Sequence, residues 1–145
     1  MTKRPHALDR FCRIKQNELD DLGQRYQQKQ QDCVDHQRRL EQLDELYDTC
    51  QVVAGETGLA WTNRFTLRDH LKHLSTLQSQ TLALSQAEQA ALQRHVTQQH
   101  VKVKSLESVI DKRYQQEAQA MAKSEQKLMD EMATQRFIRA SMLMN

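Results

Sequence analysis

His70 and His73 stand three positions apart. On a helix that spacing puts two imidazoles one turn apart, where both could reach one metal ion. Two ligands are too few for a site, and no cysteine or acidic pair nearby completes a set, so both read as exposed helix residues. Cys12, Cys33 and Cys50 are the other reactive side chains. They are odd in number, widely spaced and without a Cys-x-x-Cys pair, which reads as reduced thiols in a cytoplasmic protein. All three fall on one apolar stripe, where a thiol packs as a small hydrophobe. There is no Gly-rich phosphate loop, no His-Glu-x-x-His run and no EF-hand loop. Ser, His and Asp residues can be combined on paper, but a two-helix rod offers no concave pocket to organise them. These side chains predict a protein that is not an enzyme and that uses no cofactor and no metal.

The elements that carry these residues follow from composition. Among 145 residues there are 3 Gly, 21 Gln and a single Pro, Pro5. A β-rich chain would need turn residues every few positions, and they are missing. Hydrophobic residues make up 38%, aromatics 5%, and the mean hydropathy is −0.84, too little apolar material for a conventional core. Charged residues reach 28% with a net charge of +2, which is not the lopsided charge of a disordered chain. Good helix formers dominate, and a long-helix or coiled-coil protein accommodates all of this. No apolar run is long enough to span a membrane. Asp9, Arg10, Arg13 and Lys15 interrupt any secretory-signal core. A pI near 8.5 with interleaved charge signs argues against nucleic acid as a partner.

Residues 7–52 carry one heptad frame. Its a positions are Cys12, Leu19, Tyr26, Cys33, Leu40 and Tyr47, and its d positions are Leu8, Lys15, Leu22, Lys29, His36, Leu43 and Cys50. The frame satisfies the coiled-coil pattern, with Lys15, Lys29 and His36 as polar interruptions that weaken pairing and help set register. Gly55 and Gly58 break the helix within a loop over 53–63, and Thr62 or Asn63 is placed to cap a second helix over 64–140. That helix has apolar residues at Leu67, Leu71, Leu74, Leu92, Val96, Val103, Leu106, Ile110, Tyr114, Met121, Leu128 and Met132. From Leu92 to Met132 the mean spacing, nearer 3.6 than 3.5, predicts a weak or slightly right-handed supercoil. Residues 75–91 are poor in apolar side chains, which predicts thin packing there. The resulting fold class is all-α: an antiparallel two-helix coiled-coil hairpin with a longer second helix, forming a single coiled-coil domain over 1–145.

At 1.5 Å per residue the first helix spans roughly 70 Å and the second roughly 115 Å. Folded back, residue 8 should lie near residue 110. Tyr114 to Met132 should then overhang as a lone helix with an unpaired apolar stripe, which normally wants a partner. Residues 1–16 carry five basic residues against Asp9, and Arg136 and Arg139 follow Met132 without an acid. The end bearing both termini is therefore expected to be a basic docking tip.

Two segments carry a resemblance to a known family. One is the loop exit, Gly58-Leu59-Ala60-Trp61-Thr62-Asn63-Arg64-Phe65, and the other is Glu125-Gln126-Lys127-Leu128-Met129-Asp130-Glu131 with Ala133 and Arg136 beyond. In this order, and at this length, the chain resembles the FliJ family of flagellar type III export proteins. The resemblance implies a central stalk of the export ATPase ring, similar in shape to the rotary γ subunit of F-type ATPases. Such a stalk is located in the cytoplasm, at the export apparatus of the inner membrane. The implied partners are the flagellar export ATPase hexamer, the cytoplasmic domain of the membrane export gate, and export chaperones. Carried over by position, the ATPase-facing residues are Arg10, Arg13, Lys127, Leu128, Asp130, Glu131, Met132 and Arg136. The gate-facing residues are Arg39, Leu43, Leu46, Cys50, Phe65, Leu71 and Leu74. Leu43 and Cys50 also serve the heptad seam, whereas Arg39 and Leu46 lie outside it. The alternative readings are an export chaperone for secreted subunits, a virulence-type secretion stalk, or a self-associating structural coiled coil.

Overall fold

The computed structural model describes residues 7–51 and 53–143. They form two α-helices, α1 (Ala7–Thr49) and α2 (Gly58–Leu143), of 43 and 86 residues. The helices pack antiparallel: Lys29, Cys33, His36 and Asp44 contact Glu88, Ser85, Gln78 and Ser75, in reverse order along α2. The chain divides into two compact units, Lys15–His100 and the pair Met1–Ile14 with Val101–Asn145. Lys3 and Arg4, part of the expected basic tip, lie outside the described residues.

The heptad frame of α1 matches the burial along the helix. Each a and d position from Leu8 to Tyr47 is half-buried or buried, including Lys15, Lys29 and His36. The long lysine stems lie along the seam while their ammonium groups reach outward to carboxylates. Lys15 pairs with Glu18 at 2.7 Å and Lys29 with Glu88 at 2.6 Å.

The α2 seam differs from the expected one. Its least exposed positions include Arg68, Leu71, Ser75, Gln78, Leu82, Ser85, Gln89, Leu92, Val96, Gln99, Val103, Leu106 and Ile110. These steps alternate between three and four, the 3.5 period of a left-handed coiled coil, rather than the near-3.6 period read from the apolar residues. The discrepancy has a simple cause. Ser and Gln occupy seam positions, while Leu67 and Leu74 lie outside the seam and are exposed. Packing over residues 75–91 is likewise not thin. Leu82 and Ser85 are buried there, opposite buried Cys33. Cys33 and Ser85 are short enough to be covered by their neighbours, so this polar stretch contributes buried residues to the seam as the leucine-rich one does.

The connection is shorter than expected. α1 ends at Thr49, and the Cys50 N–H still donates to the Leu46 carbonyl at 3.1 Å. Gly55 adopts φ +93°, a left-handed conformation that costs a residue with a Cβ about 1 kcal/mol. The cap of α2 is Thr57, not Thr62 or Asn63. Its carbonyl accepts the Trp61 N–H at 3.0 Å and its hydroxyl accepts the Ala60 N–H at 3.4 Å. Thr62 is already inside the helix, bonded to the Gly58 carbonyl at 2.9 Å. Arg64 ties the turn together, donating to the Gln51 carbonyl at 2.8 Å and pairing with Glu56 at 2.5 Å. Thr57→Ala should lower stability by about 1 kcal/mol. Thermal unfolding followed by circular dichroism should show a midpoint lower by about 3 °C.

Candidate partner-binding surfaces

The first surface lies in the unit formed by Ala7–Ile14 and Val101–Leu143. Val103, 1% exposed, anchors the seam here, with Leu8, Cys12, Leu106 and Ile110 half-buried. Tyr114 closes it: its hydroxyl donates to the Asp9 carboxylate at 2.5 Å. Tyr114 therefore belongs to the packed hairpin and not to the overhang expected from sequence. Its phenol is long enough to reach α1 diagonally across the seam, which spacing along α2 alone does not show. Beyond it, every residue from Ala118 to Leu143 is exposed. Met121, Leu128, Met129, Met132, Phe137, Ile138, Met142 and Leu143 all lie in this stretch.

The expected ATPase-facing residues fall into two groups within this unit. Arg10 and Arg13 are exposed on the first turns of α1, next to Asp9 and thus near the level of Tyr114. Lys127, Leu128, Asp130, Glu131, Met132 and Arg136 are exposed on α2, beginning 13 residues beyond Tyr114. At 1.5 Å per residue that is about 20 Å further along the helix, so the two groups do not form one contiguous site.

The hydrogen bond to Asp9 holds the Tyr114 phenol above its ordinary pKa of 10.0 by favouring the protonated donor. A raised folded-state pKa means this contribution to stability is present in full below pH 10 and is lost as pH rises through the higher folded value. Phenolate absorbance that disappears in Tyr114→Phe should therefore titrate above the ordinary tyrosine range. In Asp9→Asn that signal should move back down. An unchanged titration in Asp9→Asn would show that the bond does not control the phenol.

The second surface lies in the Lys15–His100 unit, where the expected gate-facing residues separate by position around the helix. Leu71 is 8% exposed and Leu43 and Cys50 are half-buried, so these three pack the seam. Arg39, Leu46, Phe65 and Leu74 are exposed. Leu46 and Arg39 sit one residue before a positions of α1, and Leu67 and Leu74 sit one residue before seam positions of α2. In α2 the same flank continues through Leu77 and Leu84, both exposed. From Leu74 to Ala87 this helix carries no charged residue. Phe65 lies on the opposite flank, beside a shallow groove lined by Tyr47, Arg68, Asp69 and Lys72. There the Arg68 guanidinium sits 4.4 Å from the Tyr47 ring centroid, a cation–π contact. Phe65 also stacks on exposed Trp61, with centroids 5.5 Å apart and planes within 11°.

Sequence reasoning missed Trp61, Leu77 and Leu84 as surface residues. For Trp61 a signal existed: its four-residue spacing from Phe65 places two aromatic rings on one helix face. Leu77 and Leu84 could be assigned outward only once the Ser and Gln seam was known. His70 and His73 are exposed, and among the described residues no group of three His, Cys, Asp or Glu is arranged to hold a metal ion. Among the described residues no helix is long and apolar enough to cross a membrane.

The FliJ family model, described as flagellar FliJ protein, matches residues 4–141, nearly the whole chain. The chain belongs to the FliJ family. Neither the curated proteins nor the solved structures yield a match. FliJ membership assigns the chain to flagellar export, in a family whose part in that process is non-catalytic. The loop exit and the Glu125–Arg136 segment both fall within the matched residues. The antiparallel hairpin with its longer second helix is thus the form in which this FliJ chain presents its two surfaces.

Proposed function

We propose that this FliJ-family chain is the non-catalytic central stalk of the flagellar export ATPase complex, coupling the ATPase ring to the membrane export gate and engaging export chaperones. The observation that carries this reading is the lone-helix stretch Ala118–Leu143, exposed along its whole length within a chain matched to FliJ. A helix with an apolar stripe and no cover from the described residues suits the central hole of a ring, which surrounds a helix on all sides. Lys127, Asp130, Glu131 and Arg136 beside the stripe would set orientation and encounter rate, and Leu128 and Met132 would supply apolar area. In the Lys15–His100 unit, Arg39, Leu46 and Leu74 would meet the gate from one flank and Phe65, stacked on Trp61, from the other, with Leu43, Cys50 and Leu71 supporting them from the seam.

The test is the steady-state activity of the flagellar export ATPase from the same cells, with and without the chain, alongside size-exclusion chromatography. Stimulation together with ring formation is the expected result. No change in activity and no complex would overturn the stalk reading. A stable complex with an export substrate, without any effect on the ATPase, would identify a chaperone instead.

A further inference from the structure

The seam of the Lys15–His100 unit is polar at its centre in a patterned way. Four cross-seam contacts fall within residues 29–44 of α1 and 75–88 of α2. Lys29 pairs with Glu88 at 2.6 Å, and the Cys33 thiol donates to the Ser85 hydroxyl at 3.3 Å. The Gln78 amide donates to the His36 carbonyl at 3.1 Å and lies 3.1 Å from its ring Nδ1. The Ser75 hydroxyl donates to Asp44 at 2.9 Å. Cys33 and Ser85 are buried, so their contact is shielded from competing water.

The apolar part of the seam does not choose between alignments. Counted from the Cys33–Ser85 contact, Leu19, Leu40 and Leu43 lie level with Gln99, Gln78 and Ser75, and a slide of seven residues would set Leu19 against Leu92 or Leu106, Leu40 against Leu71 and Leu43 against Leu82. The polar contacts do choose. In a seven-residue shift Lys29 would face Thr81 or His95 in place of Glu88. Asp44 would face Arg68 or Leu82, Cys33 would face Gln78 or Leu92, and His36 would face Leu71 or Ser85. The buried Cys33 and Ser85 and the half-buried Lys29, His36 and Gln78 would lose their partners at a cost, whereas the exposed Glu88 and Asp44 carboxylates would return to water.

We infer that the layers joining Lys29, Cys33, His36 and Asp44 to Glu88, Ser85, Gln78 and Ser75 are a register lock, which holds the hairpin in one alignment among several that its apolar residues would accept. The consequence is functional. A slip of seven residues moves one helix about 10 Å past the other. Any binding surface drawing on both helices, such as the flank bearing Leu46 and Leu74, exists in one register and is taken apart in the next. The lock is independent of which partner that surface serves.

Cross-linking to the native Cys33 tests this directly. Ser85→Cys reports the observed register, and Gln78→Cys and Leu92→Cys report the two shifted ones. Each full-length variant is oxidised mildly and its linkage to Cys33 is mapped by mass spectrometry. With the polar layers other than the substituted residue retained, linkage through Ser85→Cys should exceed either alternative by about tenfold or more. The measurement is then repeated in a Lys29→Leu, His36→Leu, Glu88→Leu background. Leucine at seam positions 29 and 36 favours coiled-coil pairing and residue 88 lies beside the seam, so this variant should remain helical and unfold at the same or a higher temperature. Its linkage yields at positions 85 and 92 should come within about threefold of each other. Retention of the full preference for position 85 in the leucine background would overturn the lock. Equal linkage at all three positions in the intact chain would overturn it as well.

Discussion

Met132→Asp is expected to reduce stimulation of the export ATPase by about tenfold or more while leaving the thermal unfolding midpoint within about 2 °C of the parent chain. Met132 is 50% exposed and lies where α2 runs without α1 beside it. A carboxylate there removes nothing from the folded hairpin. In a ring lumen the same carboxylate would have to be desolvated against apolar or backbone groups, and its cost falls on binding alone. Leu128, one turn earlier and 59% exposed, predicts the same split between binding and stability for Leu128→Asp. Activity assays and circular dichroism on the same preparations check both readouts. A fall in midpoint as large as that of Leu22→Asp, a seam substitution in α1, would show that residue 132 is packed within the free chain. Unchanged stimulation would show that the stripe does not face the ATPase.

Val103→Asp should give the opposite pattern. Val103 is the most buried side chain described, at 1% exposure. An aspartate there must either carry a charge into the interface or take up a proton to avoid it, at a cost of about 4 kcal/mol. The unfolding midpoint should fall by about 15 °C, and the contact between Tyr114 and Asp9 one to two heptads further along should be lost with it. Val103→Ala, which leaves a small cavity and no charge, should cost about 2 kcal/mol. A midpoint for Val103→Asp close to that of Val103→Ala would mean that water reaches the seam. Together the two aspartate variants separate the packed hairpin from the exposed helix by the sign of one comparison, stability against binding.

Much of this protein was legible in its residues because a coiled coil is governed by local periodicity. The α1 frame at Leu19, Tyr26, Leu40 and Tyr47 reads directly as a buried stripe, since heptad spacing places those side chains on one face whatever they pack against. The helix break near Gly55, the unequal helix lengths and the exposed stripe at Met121, Leu128 and Met132 follow by the same arithmetic. The FliJ resemblance rested on the loop exit and the Glu125–Arg136 segment, both inside the matched region.

What the residues alone misstated concerns α2, and the reason is physical. Burial in a two-helix seam is assigned by geometry, not by hydrophobicity, once the partner helix contributes groups that satisfy a polar side chain. Ser75, Gln78 and Ser85 face inward because Asp44, His36 and Cys33 meet them, and Leu67, Leu74 and Leu77 turn outward as a result. No count of apolar positions along a single helix contains that information. Tyr114 belongs to the hairpin for the same reason, because Asp9 lies 105 residues away in sequence and within hydrogen-bonding distance in space. The amino-acid sequence by itself determined two helices, the break between them and a long unaccompanied end. Only the tertiary structure decided which face of the second helix is inside, because that choice depends on pairing between side chains far apart in the chain.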